Sequence, residues 1–261
     1  VFALAGVLLA LNGFGDTIVG NFRRLGLLDA FLALGGVSAI VWFALFALLS
    51  IGREPGTGVC GRGDLSILVL ACLAALVPSA WVAALGLLVM GAYLAATSGR
   101  GTRNARIALI LLALTGPLLW GRLIMVAFSP ALLTIDSHFV ALLAGTEASG
   151  NTVTFAGEAG LFVVGIPCSS IHNISLAAVL WGSVVPLLKL RIDARLIGFG
   201  VAATLAMFLV NAFRLAAIAL FPDRFDLLHL GAGAGAFGWA ALIVAALIVG
   251  YGAYDAAIRR P

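Results

Sequence analysis

The stretch H-L-G-A-G-A-G-A-F-G-W-A-A-L-I-V-A-A-L-I-V-G-Y-G, residues 229–252, contains no Asp, Glu, Lys or Arg in 24 positions. As a helix rising about 1.5 Å per residue it reaches roughly 36 Å, enough to cross a hydrocarbon core of about 30 Å. The rest of the chain has the same character. It is 63% hydrophobic and 10% charged over 261 residues, where a soluble domain of ordinary composition is about 25% charged. No soluble fold of this length has enough interior for that much apolar side chain, and no polar stretch is long enough for a separate soluble domain. Composition therefore predicts an all-α integral membrane protein, a single polytopic membrane domain over residues 1–261.

Reading back from residues 229–252, eight segments are apolar enough to be crossings: 1–20, 30–51, 64–77, 79–97, 105–128, 168–189, 196–221 and 229–252. The third is short, and Pro78 and Ser79 turn it directly into the fourth as a tight hairpin. The first contains Asn12 and Asp16. If these two are not separate crossings the count falls to seven or six. With eight, Arg53, Arg62, Arg100, Arg103, Arg106, Lys189, Arg191, Arg195, Arg259 and Arg260 all fall on one side, which the positive-inside rule makes the cytoplasm. Arg224 falls outside. Arg23 and Arg24 also fall outside and fit as the flank of a short interfacial segment, G-N-F-R-R-L-G-L-L. Arg122 and Arg214 lie within spans.

This orientation divides the chain into N-terminal spans, 1–97, and a half rich in candidate site residues, 105–252. The latter includes a short extracytoplasmic extended segment at 129–167. Within it N-T-V-T-F and L-F-V-V-G-I are β-prone and separated by A-G-E-A-G, which reads as a small hairpin or two extended strands.

Other function classes are disfavoured. Cys60, Cys72 and Cys168 are odd in number and irregularly spaced, so they form no disulfide framework, and no Cys/His cluster has metal-ligand spacing. No cofactor, metal or nucleotide motif is present. The net charge of +4 reports topology rather than nucleic-acid binding.

Polar side chains concentrate in G-I-P-C-S-S-I-H-N-I-S, residues 165–175. Cys168 begins the sixth span, after Pro167, a common companion of a helix N-terminus. His229 begins the eighth. Arg214 lies roughly 10 Å below the outer end of the seventh. Taken singly, a cysteine in a membrane helix is a packing residue, an arginine near a helix end snorkels to the interface, and a histidine at a boundary is interfacial. Their common depth favours a joint role. The thiolate is the nucleophilic form of cysteine. A histidine can take the thiol proton and return it to a leaving amine. An arginine can hold an oxyanion or a substrate carboxylate where water is scarce.

Spacing leaves several roles open. His172, four residues after Cys168, would share its helix face and competes with His229 as base. Ser169, Ser170 and Asn173 either donate to an oxyanion or cap the sixth span, capping being favoured for the serines. Asn211, three residues before Arg214, is placed to orient its guanidinium. Arg122 either binds substrate or pairs with an acid such as Asp136.

Three motifs in order resemble the exosortase/archaeosortase family of multispan membrane cysteine transpeptidases. G-N-T-V-T-F followed by F-V-V-G-I-P-C-S-S-I-H-N-I-S is similar to that family's extended segment leading into an A-C-S-G-type cysteine motif. N-A-F-R-L, residues 211–215, is similar to its N-x-x-R-[IVL] pattern. His229 then opens a glycine-rich stretch. The resemblance covers residues 105–252, and the earlier spans agree only in number and character. It implies Cys168, Arg214 and His229 as the catalytic set, which would settle the base as His229. It departs from the family at Ser170, where glycine is common, and at His172, where a polar or basic residue is typical.

The implied activity is cleavage of exported proteins at a C-terminal tripartite sorting signal: a short motif such as Pro-Glu-Pro, an apolar helix and a basic cluster. The acyl group would then pass to an acceptor such as exopolysaccharide or lipid. The implied location is a prokaryotic cell membrane, with the site facing outward and membrane lipid around it. A transporter or channel lined by Arg122, Arg214 and His229, and a non-catalytic factor for exopolysaccharide export, are the competing expectations.

Overall fold

The computed structural model describes residues 1–55, 61–157 and 160–259. Cys60 and Arg260 lie outside the described residues. Each of the eight apolar segments contains helix. The first is broken into α1 (Phe2–Gly13) and α2 (Gly15–Leu25), bent by 52°. After α2 come the short α3 (Leu27–Leu32), α4 (Ala39–Gly52), α5 (Arg62–Leu76), α6 (Ala80–Thr97), α7 (Arg103–Thr115) and α8 (Gly121–Ala144). Three short strands follow, β1 (Ala148–Ser149), β2 (Thr152–Thr154) and β3 (Leu161–Val163). The chain ends in α9 (Ser170–Leu187), α10 (Ala194–Leu220), the single turn α11 (Phe225–His229) and α12 (Ala232–Ile258).

Five stretches are long and apolar enough to cross a bilayer: α6, α7 with α8, α9, α10 and α12. The bent pair α1–α2 makes six. This is a multi-pass membrane protein that is helical except for one small sheet. At about 1.5 Å per residue, the 14 residues of α4 and the 15 of α5 reach only some 21–23 Å, short of a full hydrocarbon core.

Local chemistry sets the helix limits. Ser38 and Thr102 cap α4 and α7, their hydroxyls accepting from the N–H groups of Ile40 and Ala105. The Asp64 carboxylate accepts from the Gly61 N–H at the start of α5 and from the Tyr93 hydroxyl of α6 at 3.0 Å. This contact and Pro78 fold α5 back on α6 as the sequence predicts. The structure departs from expectation at residues 129–144. They continue α8 rather than opening the non-helical segment, although Pro130 interrupts the hydrogen-bond ladder. The Thr134 hydroxyl donates to the Pro130 carbonyl at 2.7 Å, a back-bond that helps the turn accommodate proline. Between α7 and α8, residues Gly116–Trp120 form a π turn that includes Pro117.

The chain divides into two compact units: Val1–Trp120, Ala178–Leu196 and Ala253–Pro261 in one, Gly121–Ala177 and Ile197–Gly252 in the other. In the first unit α1 packs on α4, α5 and α6, and α6 on α7. The buried faces repeat every three or four residues, as Ile40, Ala44, Leu48 and Ile51 do in α4. Charged groups from separate loops and helix ends converge in this unit. The Arg106 guanidinium grips the Glu54 carboxylate through two hydrogen bonds of 2.7 and 3.0 Å, and the Lys189 ammonium approaches it at 3.2 Å. Arg106, then Lys189, hold the Glu54 carboxyl below its ordinary pKa against the opposing effect of burial. Arg259 bridges Asp193 and Asp255, which also meets Arg195. The Asp193 carboxyl is held low by the Leu196 N–H and by Arg259.

In the second unit the expected hairpin forms. β2 pairs antiparallel with β3, Val153 opposite Phe162, and β1 extends the sheet beside β2. Phe155 N–H donates to the Gly160 carbonyl. Gly160 has φ of 136°, and a Cβ there would approach the Phe155 ring at 3.2 Å, so glycine suits this position. Ala156 N–H donates to the Ala219 carbonyl at 2.9 Å, tying the hairpin to α10. Along the part of α12 in this unit, Trp239, Ile243, Leu247 and Tyr251 form an exposed apolar stripe, while Ala241, Ala245 and Val249 are buried. Small residues on the packed side and large apolar ones outside are the pattern of a helix facing lipid.

Candidate active site

The site lies within the second unit. Cys168 is not in α9. It closes a separate 3-10 turn, Ile166–Cys168, with Pro167 inside it, and Ser169 is extended before α9 begins at Ser170. Two backbone hydrogen bonds hold this elbow, Cys168 N–H to the Gly165 carbonyl and Ser169 N–H to the Ile166 carbonyl. Cys168 is buried among Met125, Val153, Phe162, Val164, Leu215 and Ile218, from α8, the hairpin and α10.

The Cys168 Sγ lies 3.5 Å from Nε2 of His229, the last residue of α11. With Nε2 unprotonated, the thiol donates to it. Aromatic rings support the imidazole. Phe225, one turn earlier, has its ring centroid 4.9 Å from that of His229. Phe225 meets Phe155 and Phe162 edge-on at 6.5 and 6.4 Å, and those two stack at 5.6 Å. The β-hairpin thus braces the histidine through Phe225.

His172 does not share a helix face with Cys168, because the cysteine precedes the helix. It is exposed in the first turn of α9. The i, i+4 expectation fails for that reason, and the imidazole beside the sulfur is that of His229. Asn211 does not orient Arg214. Its Nδ2 donates to the Cys168 carbonyl at 2.8 Å and lies 3.4 Å from the Ser170 hydroxyl. The two serines differ. Ser169 Oγ accepts from the Ile171 N–H, a helix-start contact as expected, and donates to the Met125 sulfur. Ser170 instead donates its hydroxyl to Asp136. The Asn173 side chain is half-buried and makes no hydrogen bond among the described residues.

Arg214 is one turn beyond Asn211 on α10. Its Nε is buried without a hydrogen-bond partner among the described residues. Arg122 is exposed on α8 and forms no ion pair there. Of the two alternatives for Arg122, pairing with Asp136 does not form among the described residues; both carboxylate oxygens of Asp136 accept from Ser170. Sequence reasoning considered Asp136 only as that counter-ion. The available signal was an acid within an apolar helical stretch. Phe225 carried no sequence signal. No group of three or more His, Cys, Asp or Glu that could hold a metal occurs among the described residues.

A thiol touching an imidazole has the chemistry of a nucleophile beside a proton acceptor, whereas no hydrogen bond joins Arg214 to Cys168 or His229 among the described residues. No protein-family model, curated protein or solved structure matches the chain.

Proposed function

We propose that the protein is a membrane-embedded cysteine peptidase or transpeptidase acting on C-terminal sorting signals of exported proteins. The observation that carries this reading is the 3.5 Å contact between Cys168 Sγ and His229 Nε2. It joins the first and third of the three motifs through which the chain resembles the exosortase/archaeosortase family, and Asn211 of the second motif touches the Cys168 carbonyl. The proposed topology has eight crossings, with the short α4 and α5 each making one. The loops carrying Glu54, Arg103, Lys189 and Arg259 face the cytoplasm, and Cys168 faces outward in a prokaryotic cell membrane.

In the proposed reaction the Cys168 thiol gives its proton to His229 Nε2 as Sγ attacks the scissile carbonyl carbon. Arg214 donates to the oxyanion or to an acidic recognition residue. Collapse of the tetrahedral intermediate breaks the C–N bond, and the imidazolium returns the proton to the departing amine. An acceptor amine, hydroxyl or water then gives its proton to His229, attacks the thioester carbon and releases Sγ. A substrate helix lying beside the spans would present its scissile bond at the outer leaflet. Arg122, exposed on α8, is the candidate for contacting an acidic motif.

The test is co-expression with a protein ending in a short motif, an apolar helix and basic residues, followed by intact mass. Processing should be lost in Cys168→Ala and kept in Cys72→Ala. Normal processing by Cys168→Ala would end this reading.

A further inference from the structure

We infer that Asp136 is a positioning residue for Cys168, fixing through Ser170 and Asn211 the direction in which the sulfur meets His229. This deepens the cysteine-peptidase reading and rests on it.

Asp136 lies on α8 and is 6% exposed. A buried carboxylate is costly unless its oxygens are satisfied, and this one forms no ion pair among the described residues. Its Oδ2 accepts from the Ser170 N–H and its Oδ1 from the Ser170 hydroxyl, both at 3.1 Å. The carboxylate therefore clamps one residue from two sides. The same hydroxyl lies 3.4 Å from Asn211 Nδ2, which also donates to the Cys168 carbonyl at 2.8 Å. The donors run in one direction: the Asn211 amide gives to Ser170 Oγ and to the Cys168 carbonyl, and Ser170 gives to Asp136.

The elbow needs such a tether. Cys168 belongs to a single 3-10 turn, and Ser169 between it and α9 is extended. One turn of this kind is weakly held by its own hydrogen bonds. The carbonyl of Cys168 is held by α10, and the backbone two residues later is held by α8. An ordinary helix cap would explain the Ser170 N–H contact alone. It would not explain the second carboxylate oxygen on the hydroxyl, or the sharing of that hydroxyl with the side chain that holds Cys168.

The experiment measures the rate constant for alkylation of Cys168 by iodoacetamide. It uses the full chain in lipid nanodiscs with Cys60 and Cys72 changed to Ala. Parent, Asp136→Asn, Ser170→Ala and His229→Ala are compared, together with the double variant Asp136→Asn/His229→Ala. Asp136→Asn is expected to slow alkylation about tenfold. The double variant is expected to react no more slowly than His229→Ala alone, because a sulfur no longer aimed at the imidazole has no contact left to lose. A purely structural cap would lower the melting temperature without producing this coupling. An Asp136→Asn rate that is unchanged or faster, or two effects that multiply, overturns the inference. If Asp136→Asn does not fold, Ser170→Ala decides, being expected to slow alkylation at least threefold, with an unchanged rate counting against the inference. If His229→Ala itself alkylates at the parent rate, the cysteine–histidine reading fails, an outcome distinct from failure at Asp136.

Discussion

Cys168 and His229 are 61 residues apart in the chain, yet Sγ and Nε2 meet at 3.5 Å. No helix carries both. The sulfur is held by an elbow before α9, and the imidazole ends a five-residue helix. Their contact depends on what braces each side: the core of α8, the hairpin and α10 around the sulfur, and the Phe225 ring beside the imidazole.

The first prediction separates the two candidate bases. His229→Ala should reduce processing of a sorting-signal substrate by about 10²–10⁴-fold, the usual contribution of a general base. His172→Ala should leave processing within about threefold, because that side chain is exposed and separated from the sulfur by the break before α9. Single-turnover cleavage followed by mass spectrometry measures both. A large loss in His172→Ala with little in His229→Ala would reverse the assignment.

Arg214 offers a second, sharper contrast. Its buried Nε has no protein partner among the described residues, so removing the side chain leaves no such partner stranded. Arg214→Ala should lower the cleavage rate by about 10²–10³-fold, comparable to loss of an oxyanion donor, with only a small change in melting temperature. Arg214→Lys keeps the charge but loses the planar fork, and should recover less than a tenth of parent activity. Full activity in the lysine variant would mean that charge alone matters there.

Phe225→Ala tests the aromatic brace. Removing a half-buried ring that touches Phe155, Phe162 and His229 should cost about 1–3 kcal/mol of stability. It should also raise the mobility of the imidazole, seen as a lower cleavage rate at saturating substrate. Phe225→Tyr, which keeps the ring, should recover most of both. If the alanine variant loses stability but cleaves at the parent rate, the brace is structural only.

The helical segments were legible because a membrane demands long apolar runs, and the hairpin because two β-prone stretches flank a glycine-rich turn. Cys168, Arg214 and His229 stood out as unusual chemistry at a shared expected depth, but spacing left His172 and His229 in competition and only the family resemblance favoured His229, whose Nε2 lies 3.5 Å from the sulfur. What the sequence hid was conformation at single residues. The i, i+4 relation of Cys168 and His172 presumes one continuous helix, and the extended Ser169 breaks it. The fifth apolar segment was read to end at residue 128, yet α8 runs on through Pro130 to Ala144. Asp136 entered only as a possible partner of Arg122, and its contact with Ser170 was hidden because it depends on how α8 faces the start of α9. Asn211 was read against its neighbour Arg214, whereas its amide turns to a backbone 43 residues away.

Helix packing in the first unit gives a prediction remote from the site. A Cβ on Gly182 of α9 would lie 2.7 Å from the Ala113 Cβ of α7, so these helices approach through small residues as membrane helices do. Gly182→Ala should force a local shift costing about 1–3 kcal/mol, and Gly182→Leu more. Thermal unfolding in detergent would register both, and a melting temperature unchanged in the leucine variant would contradict this packing.

The last prediction concerns Glu54, whose carboxyl is held below its ordinary pKa chiefly by the Arg106 hydrogen bonds and then by Lys189. A carboxyl with a folded pKa below its unfolded value stabilises the fold fully above that unfolded value, about 4.3 for glutamate. The stabilisation drains away as pH falls through the folded value, when both states carry the proton. Glu54→Gln preserves the shape but removes the charge from beside Arg106, which is 7% exposed and left without its anion. The melting temperature of the variant should therefore fall below that of the parent by the largest margin at pH 6–7; the gap should begin to narrow below about pH 4.3 and close only once the pH is below the depressed folded value. Other carboxylates titrate in both proteins, so the difference between the two curves is the quantity to follow. A gap that stays constant or widens on acidification would show that the Glu54–Arg106 contact does not stabilise the fold through its charge.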